Sequence, residues 1–261
     1  MKNIALIGCG WLGLPLAEKL IENNYHVVGT TTTENKLPYL VSKGIKAHLL
    51  NLDDNSYNLS FLTNCQVLFL NIPPGLRKTP QGSFLNKVEI LTSKLRDTSI
   101  EKIVFANSTA VYNRDGFFNE NTPFIPDSDK GLELLEVEKT LSQTIKSFTV
   151  IRFGGLFGPN RNPANFIKSA TQLEENTTTN LIHLHDAINL SFHTITQNSP
   201  KVINGVHPHH PDKFSFYKKA YAMAGKDFPF NSPVTTTERI IEMNTSIEGF
   251  EFREKLLFDY L

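Results

Sequence analysis

The chain has 261 residues, 40% of them hydrophobic, with 26 Lys plus Arg against 26 Asp plus Glu and so no formal net charge. That is enough apolar material to bury a core without metal or disulfide staples, and there is no basic field to gather nucleic acid or an anionic membrane surface. No apolar stretch approaches the roughly 20 residues that cross a bilayer, so the expectation is a soluble protein without membrane partners. Cys9 and Cys65 are the only cysteines. They make no disulfide framework, which points to a reducing, cytoplasmic compartment. The opening MKNIALIGCGWLGLPLA has a lysine and an apolar stretch, as a signal peptide does, but no small-x-small cleavage site; it reads as part of the fold.

Residues 3–7 are a short apolar run ending at glycine, and 12–22 repeat apolar residues at helical spacing: strand, tight turn, helix. Strands follow at 26–29, 47–50 and 67–71, with a helix at 36–43 between the first two. An amphipathic stretch over 84–97 leads to a fifth strand over 102–106, centred on Ile103, Val104 and Phe105. Helical period returns over 132–146, and 149–153 supply a sixth strand. This alternation predicts an α/β fold with a doubly wound parallel sheet, whose ligand site lies beyond the carboxyl ends of its strands. After Phe153 the pattern loosens into GGLFGPNRNP, EENTTTN and HPHHPD. The expected organisation is a dinucleotide-binding domain over 1–155, then a small substrate-side lobe over 156–261 interleaved with the last sheet elements. The threonine-rich patches 30–33, 177–179 and 235–237 read as loops.

Gly8, Gly10 and Gly13 form GxGxxG. The motif alone is weak, but here it follows an apolar strand and opens an apolar-periodic helix. Backbone N–H groups around Trp11 and Leu12 and the helix dipole then converge on one anion site. Gly8 permits the tight turn, Gly10 the close approach of a pyrophosphate, and Gly13 the packing of helix on strand, a Rossmann-type arrangement for a nicotinamide dinucleotide. The second strand ends without the acidic residue that usually selects the ribose of NAD. Thr30, Thr31 and Thr32 with Lys36 could receive a 2′-phosphate, so the cofactor is NADP or NAD, with a lean to NADP; equally, the threonines could cap the following helix.

GCGWLG at 8–13, NIPPG at 71–75, ANSTAVY at 106–112, RFGGLFGPNRNP at 152–163 and NLIHLHDAI at 180–188 together carry a resemblance. In this order they resemble the extended and atypical short-chain dehydrogenases/reductases, the NAD-dependent epimerase/dehydratase family. The resemblance implies that Asn51 and Leu52 flank the adenine and that Ile72, Pro73 and Pro74 line the path to the nicotinamide. It also implies that Ser108, or its neighbour Thr109, hydrogen-bonds the reacting oxygen, where a hydroxyl can donate to developing negative charge.

The family's acid/base pair, a tyrosine with a lysine four residues on, is missing. Alignment over 126–138 puts Lys130 at the tyrosine and Leu134 at the lysine, and no tyrosine occurs between Tyr112 and Tyr217. Tyr112, or Lys130 with a pKa depressed by burial, are the replacement proton carriers to consider; the plainer readings are a packed loop aromatic and an exposed first-turn charge.

Arg152, Arg161 and Asn162 flank the glycine-rich segment that in the family faces substrate. Arginine there could grip a carboxylate or phosphate through its planar fork, although Arg152 reads equally as a strand-end ion pair. His183 and His185, on one face if both lie in a strand, lack a third ligand at zinc-like spacing. The resemblance places His183 near the substrate pocket, and HPHHPD reads as a surface loop.

Two functions follow. One is an oxidoreductase or epimerase acting on a small polar metabolite such as a sugar nucleotide. The other is a non-catalytic dinucleotide-binding sensor or regulatory protein that has lost the acid/base tyrosine. No metal is expected, and a homodimer is left open.

Overall fold

The computed structural model describes residues 2–75, 80, 82–112, 114–169, 173, 178–231 and 238–261. In chain order the strands are β1 (Asn3–Ile7), β2 (His26–Thr31), β3 (Lys46–Leu49), β4 (Val67–Leu70), β5 (Lys102–Ser108), β6 (Gly116–Phe118), β7 (Ser147–Phe153), β8 (Gly155–Phe157), β9 (Leu181–His183), β10 (Val202–Gly205) and β11 (Arg239–Ile241). The helices are α1 (Gly13–Glu22), α2 (Leu37–Ser42), α3 (Ser83–Leu95), α4 (Asp129–Thr144), α5 (Leu184–Thr196) and α6 (Lys213–Met223).

Seven strands pair in parallel in the order β10-β7-β5-β4-β1-β2-β3, while β6 pairs with β11 and β8 with β9. The chain builds outward from β1 to β3, then crosses back to place β4 beside β1. The carboxyl ends of β1 and β4 therefore adjoin at the reversal, where an open α/β sheet parts to admit a ligand.

Both faces of the sheet are covered, and alternation along each strand divides its side chains between two cores. Leu68 and Leu70 of β4 join Val88 and Leu91 of α3 and Leu134 and Val137 of α4. Val67 and Phe69 join Leu16 and Leu20 of α1 and Leu190 of α5 on the other face. All four β4 residues are buried, which is why this strand is uniformly apolar. Truncating a fully buried side chain such as Phe69 to alanine costs about 3–5 kcal/mol.

Several elements extend beyond their sequence patterns. β2 continues through Thr30 and Thr31, which pair with His48 and Leu49 and are buried, so these two threonines belong to a strand and not a loop. β5 runs to Ser108 because β7 pairs with it as far as Phe153. A seventh sheet strand, β10, comes from Val-Ile-Asn-Gly, too short an apolar run to stand out. Within HPHHPD, His207 is buried with its ring against Phe252 and Tyr260, a correction to the surface-loop reading. Thr177 and Thr235 to Thr237 lie outside the described residues.

Candidate functional site

The glycine loop is built by close backbone approach. Gly8 has φ +105°, and a Cβ there would lie 2.1 Å from the carbonyl oxygen of Asn71. A Cβ on Gly13 would lie 2.2 Å from the Gly8 carbonyl oxygen. Asn71 closes the ring by donating from Nδ2 to that same carbonyl at 3.0 Å, and Gly8 N donates to Thr30 Oγ1 at 3.2 Å. A Cβ on Gly10, in contrast, meets nothing within 4 Å. Helix α1 starts immediately afterwards with no side-chain cap and no acidic residue in its first turn. Leu14 N and Leu16 N donate to Gly10 O and Leu12 O, at 3.0 and 3.3 Å, and Pro15 has no N–H, so the N–H groups of Trp11, Leu12 and Gly13 at the helix entrance are the ones left for an anion from outside the protein.

Two clefts flank the loop and share Ile72 and Pro73. The first, about 170 Å³, is lined by Gly8, Thr30 to Thr32, Asn51, Leu52, Asp53, Phe84 and Lys87. Asp53 and Lys87 are ion-paired at 2.5 Å. Thr31 Oγ1 accepts from Thr33 N at 3.1 Å, so this hydroxyl, like that of Thr30, already serves the backbone. Lys36 is exposed in a short 3₁₀ turn and does not line this cleft.

The second cleft, about 350 Å³, is lined by Gly10, Trp11, Leu12, Asn71, Pro74, Asn107, Ser108, Phe153, Leu156 and Arg161. Ser108 is the last residue of β5 and caps the 3₁₀ turn of Thr109–Val111, its Oγ accepting from Ala110 N at 3.1 Å. With one lone pair so engaged, the hydroxyl proton is available to a group in the cleft. Thr109 is buried and does not line the cleft.

Neither candidate proton carrier lines the cleft. Tyr112 is buried, with its hydroxyl accepting from Arg152 Nη1 at 2.6 Å and donating to Asn204 Oδ1 at 3.1 Å. Burial pushes its phenol above the ordinary value, with Arg152 partly opposing. Lys130 is exposed in the first turn of α4, and Leu134 is buried in the core. Arg152 takes the ion-pair role: its Nη2 and Nε bond Glu138 at 2.6 and 3.0 Å, and Glu138 Oε1 also accepts from Asn107 Nδ2 at 2.6 Å. A polar chain thus runs from Asn107 on the cleft wall through Glu138, Arg152 and Tyr112 to Asn204. Asn107 lies within ANSTAVY and Glu138 ends the aligned stretch 126–138, yet neither was singled out there, and Asn204 stands in a short strand outside any motif.

The substrate-side candidates separate. Arg161 reaches the second cleft, whereas Asn162 and His183 line a third cavity of about 270 Å³ with Phe157, Met223, Tyr260 and Leu261. Asn162 Oδ1 accepts from Ala164 N at 2.8 Å. His183 ends β9 and His185 lies in α5, so the two are not alternate residues of one strand. His183 Nδ1 accepts from His185 N at 3.3 Å, its ring stacks on Tyr260 with centroids 4.7 Å apart, and burial lowers its pKa.

Residues 3–73 match the NAD binding domain of 6-phosphogluconate dehydrogenase. The fold is that of MoeE5 in complex with UDP-glucose and NAD (TM-score 0.76, 18% identity, 99% of this chain and 95% of that one). It is likewise that of the UDP-glucose 4-epimerase of Thermotoga maritima (TM-score 0.74, 15% identity, 99% and 98%). Sheet order, glycine loop and these likenesses define a Rossmann-fold protein whose first 70 or so residues match an NAD-binding domain and whose fold is shared with NAD-dependent sugar-nucleotide epimerases. Within that class, the chain belongs to the family of Protein YeeZ of Escherichia coli strain K12, to which it is 30% identical over 270 residues, 100% of this chain and 96% of that protein.

Proposed function

We propose that the protein binds NAD(H) across the first two clefts and uses it in an oxidoreductase or epimerase reaction on a small polar metabolite. The observation that carries this reading is Gly10: the loop around it is rigidly packed, yet its own Cα faces space open to a pyrophosphate. Asn51 and Leu52 would border the adenine, Ile72 and Pro73 the passage between the clefts, and Pro74 the nicotinamide end. Bound there, the nicotinamide supplies or accepts a hydride. Ser108 would donate to the substrate oxygen, while Phe153 and Leu156 exclude water from the wall. Sugar nucleotides are the substrate class suggested by the structural relatives solved with UDP-glucose. NAD is preferred over NADP in this reading because Lys36, the cation expected to receive a 2′-phosphate, stands outside the first cleft, and the relatives solved with a dinucleotide carry NAD.

Fluorescence titration with NADH and NADPH, comparing wild type with Gly10→Asp, tests it. Tight NADH binding that the variant loses supports the reading; no binding of either nucleotide to the wild type leaves the fold as a scaffold only.

A second reading, a dinucleotide-binding sensor without turnover, is favoured by the acid/base positions: Lys130 is exposed, Leu134 is core, and Tyr112 is locked in its network. Cofactor-dependent turnover that Ser108→Ala abolishes would remove this reading.

A further inference from the structure

Asn107 and Arg152 stand directly opposite one another where β5 pairs with β7, so their side chains leave the sheet on the same face and meet Glu138 of α4. Glu138 Oε1 accepts from Asn107 Nδ2 at 2.6 Å and from Arg152 Nε at 3.0 Å, and Oε2 accepts from Arg152 Nη2 at 2.6 Å. A carboxylate paired with a guanidinium only accepts. The Asn107 amide therefore turns its nitrogen to Glu138, which fixes its orientation and leaves Oδ1 on the other side as an acceptor. No described residue donates to that oxygen, and Asn107 lines the second cleft. Ser108, next in the strand, offers the same cleft a hydroxyl donor from the opposite face. Asn71, the other described asparagine on this wall, is bonded to Gly8 within the glycine loop and so belongs to the pyrophosphate end. Asn107 is thus the amide acceptor beside Ser108, at the end of the cleft where a nicotinamide would meet its substrate.

We infer that Asn107 Oδ1 accepts a hydrogen bond from the carboxamide N–H of a nicotinamide and so sets which way that ring lies in the second cleft. This rests on the proposed dinucleotide site. The nicotinamide ring carries its carboxamide on one side only, so an acceptor at a fixed place selects one of its two faces to meet the substrate. Asn107 is suited to this because the buried Glu138–Arg152 pair already holds its amide, and a group ordered in advance loses little entropy on binding. A site built to take an N–H also rejects an analogue that lacks it, since the acceptor is then left unpaired.

Calorimetric titration of wild type, Asn107→Ser and Asn107→Leu with NADH, with the reduced acetylpyridine analogue of NADH, and with ADP-ribose tests it. The analogue has a methyl ketone in place of the carboxamide and is otherwise the same molecule, while ADP-ribose lacks the nicotinamide. Serine keeps a donor for Glu138 and removes the amide oxygen; leucine keeps the shape of asparagine without its polar atoms. Wild type should bind NADH about fivefold to tenfold more tightly than the analogue, the scale of one hydrogen bond. Both variants should bind NADH and the analogue alike, with ADP-ribose affinity equal in all three proteins. If wild type binds NADH and the analogue equally, or its preference survives in the variants because any loss falls on both nucleotides alike, the inference is overturned and the dinucleotide site stands. If wild type binds neither NADH nor ADP-ribose, both fall. Should Asn107→Leu fail to fold, Asn107→Ser is read by the same outcomes.

Discussion

Asn71 and Gly8 hold the site together from just beyond the ends of neighbouring strands: the Asn71 carbonyl occupies the place of a Gly8 side chain, and the Asn71 amide donates back to the Gly8 carbonyl at 3.0 Å. The phosphate loop is therefore part of the β1–β4 junction, the point at which the strand order reverses. Its three glycines do different work, and substitution separates them.

Gly8→Ala and Gly13→Ala force a methyl group into backbone 2.1 and 2.2 Å away. Each is expected to cost several kcal/mol, on the order of 3–5, or to prevent folding, as overpacked and strained sites do. Gly10→Ala meets no protein atom and should leave the thermal midpoint within about 2 °C, while weakening NADH binding. Thermal melts and NADH titrations of the three variants check this; a Gly10→Ala protein as unstable as Gly13→Ala would show that the loop lacks an open ligand face.

Tyr112→Phe removes the hydroxyl between Arg152 and Asn204. The expected loss in urea unfolding is about 1–3 kcal/mol, because buried groups are left unpaired, with NADH affinity unchanged. Glu138→Ala should cost more, about 3–5 kcal/mol, since it strands a buried guanidinium. A Tyr112→Phe protein of wild-type stability whose turnover has disappeared would return Tyr112 to the chemistry.

Lys36→Ala should leave the ratio of NADPH to NADH affinity unaltered, because Lys36 is exposed outside the first cleft. A fall of tenfold or more in NADPH affinity alone, measured by fluorescence, would place a 2′-phosphate on Lys36.

Burial holds His183, His209 and His210 below the ordinary histidine value of 6.5. The folded protein thus favours the neutral rings, and the unfolded chain takes up protons first as pH falls. The contribution of these rings is complete above about pH 6.5 and is lost below it, towards their lower folded values. His209 Nδ1 accepts from Leu257 N at 3.0 Å, which a protonated ring cannot do. The thermal midpoint should fall between pH 7 and about pH 5, and less steeply in His209→Asn, whose side-chain oxygen can still accept. A midpoint flat over that range would rule out these rings as the origin.

The amino-acid sequence by itself determined the first half of the sheet and the glycine loop; of the first cleft, Thr30 to Thr32 were named from the sequence, Asn51, Leu52, Ile72 and Pro73 through the family resemblance, and Asp53, Phe84 and Lys87 not at all. Short buried parallel strands are written as uninterrupted apolar runs, and a strand–glycine–helix succession is local along the chain. Ser108, on the wall of the second cleft, was singled out only through the family resemblance carried by ANSTAVY. Tertiary structure alone decided the rest. Whether Tyr112 faced the cleft or the core depended on Arg152, Asn204 and Glu138, 40, 92 and 26 positions away, whose bonds no local pattern encodes. Asn162 and Arg161 are neighbours, yet the Gly158–Arg161 turn sends them to different cavities. The placement of Arg161 on Trp11, 150 residues apart, exists only once the carboxyl ends of β1 and β7 are brought to the same edge of the sheet. Local sequence fixes backbone conformation through sterics and hydrogen bonding between near neighbours; which side chains face one another is set by the pairing of distant strands.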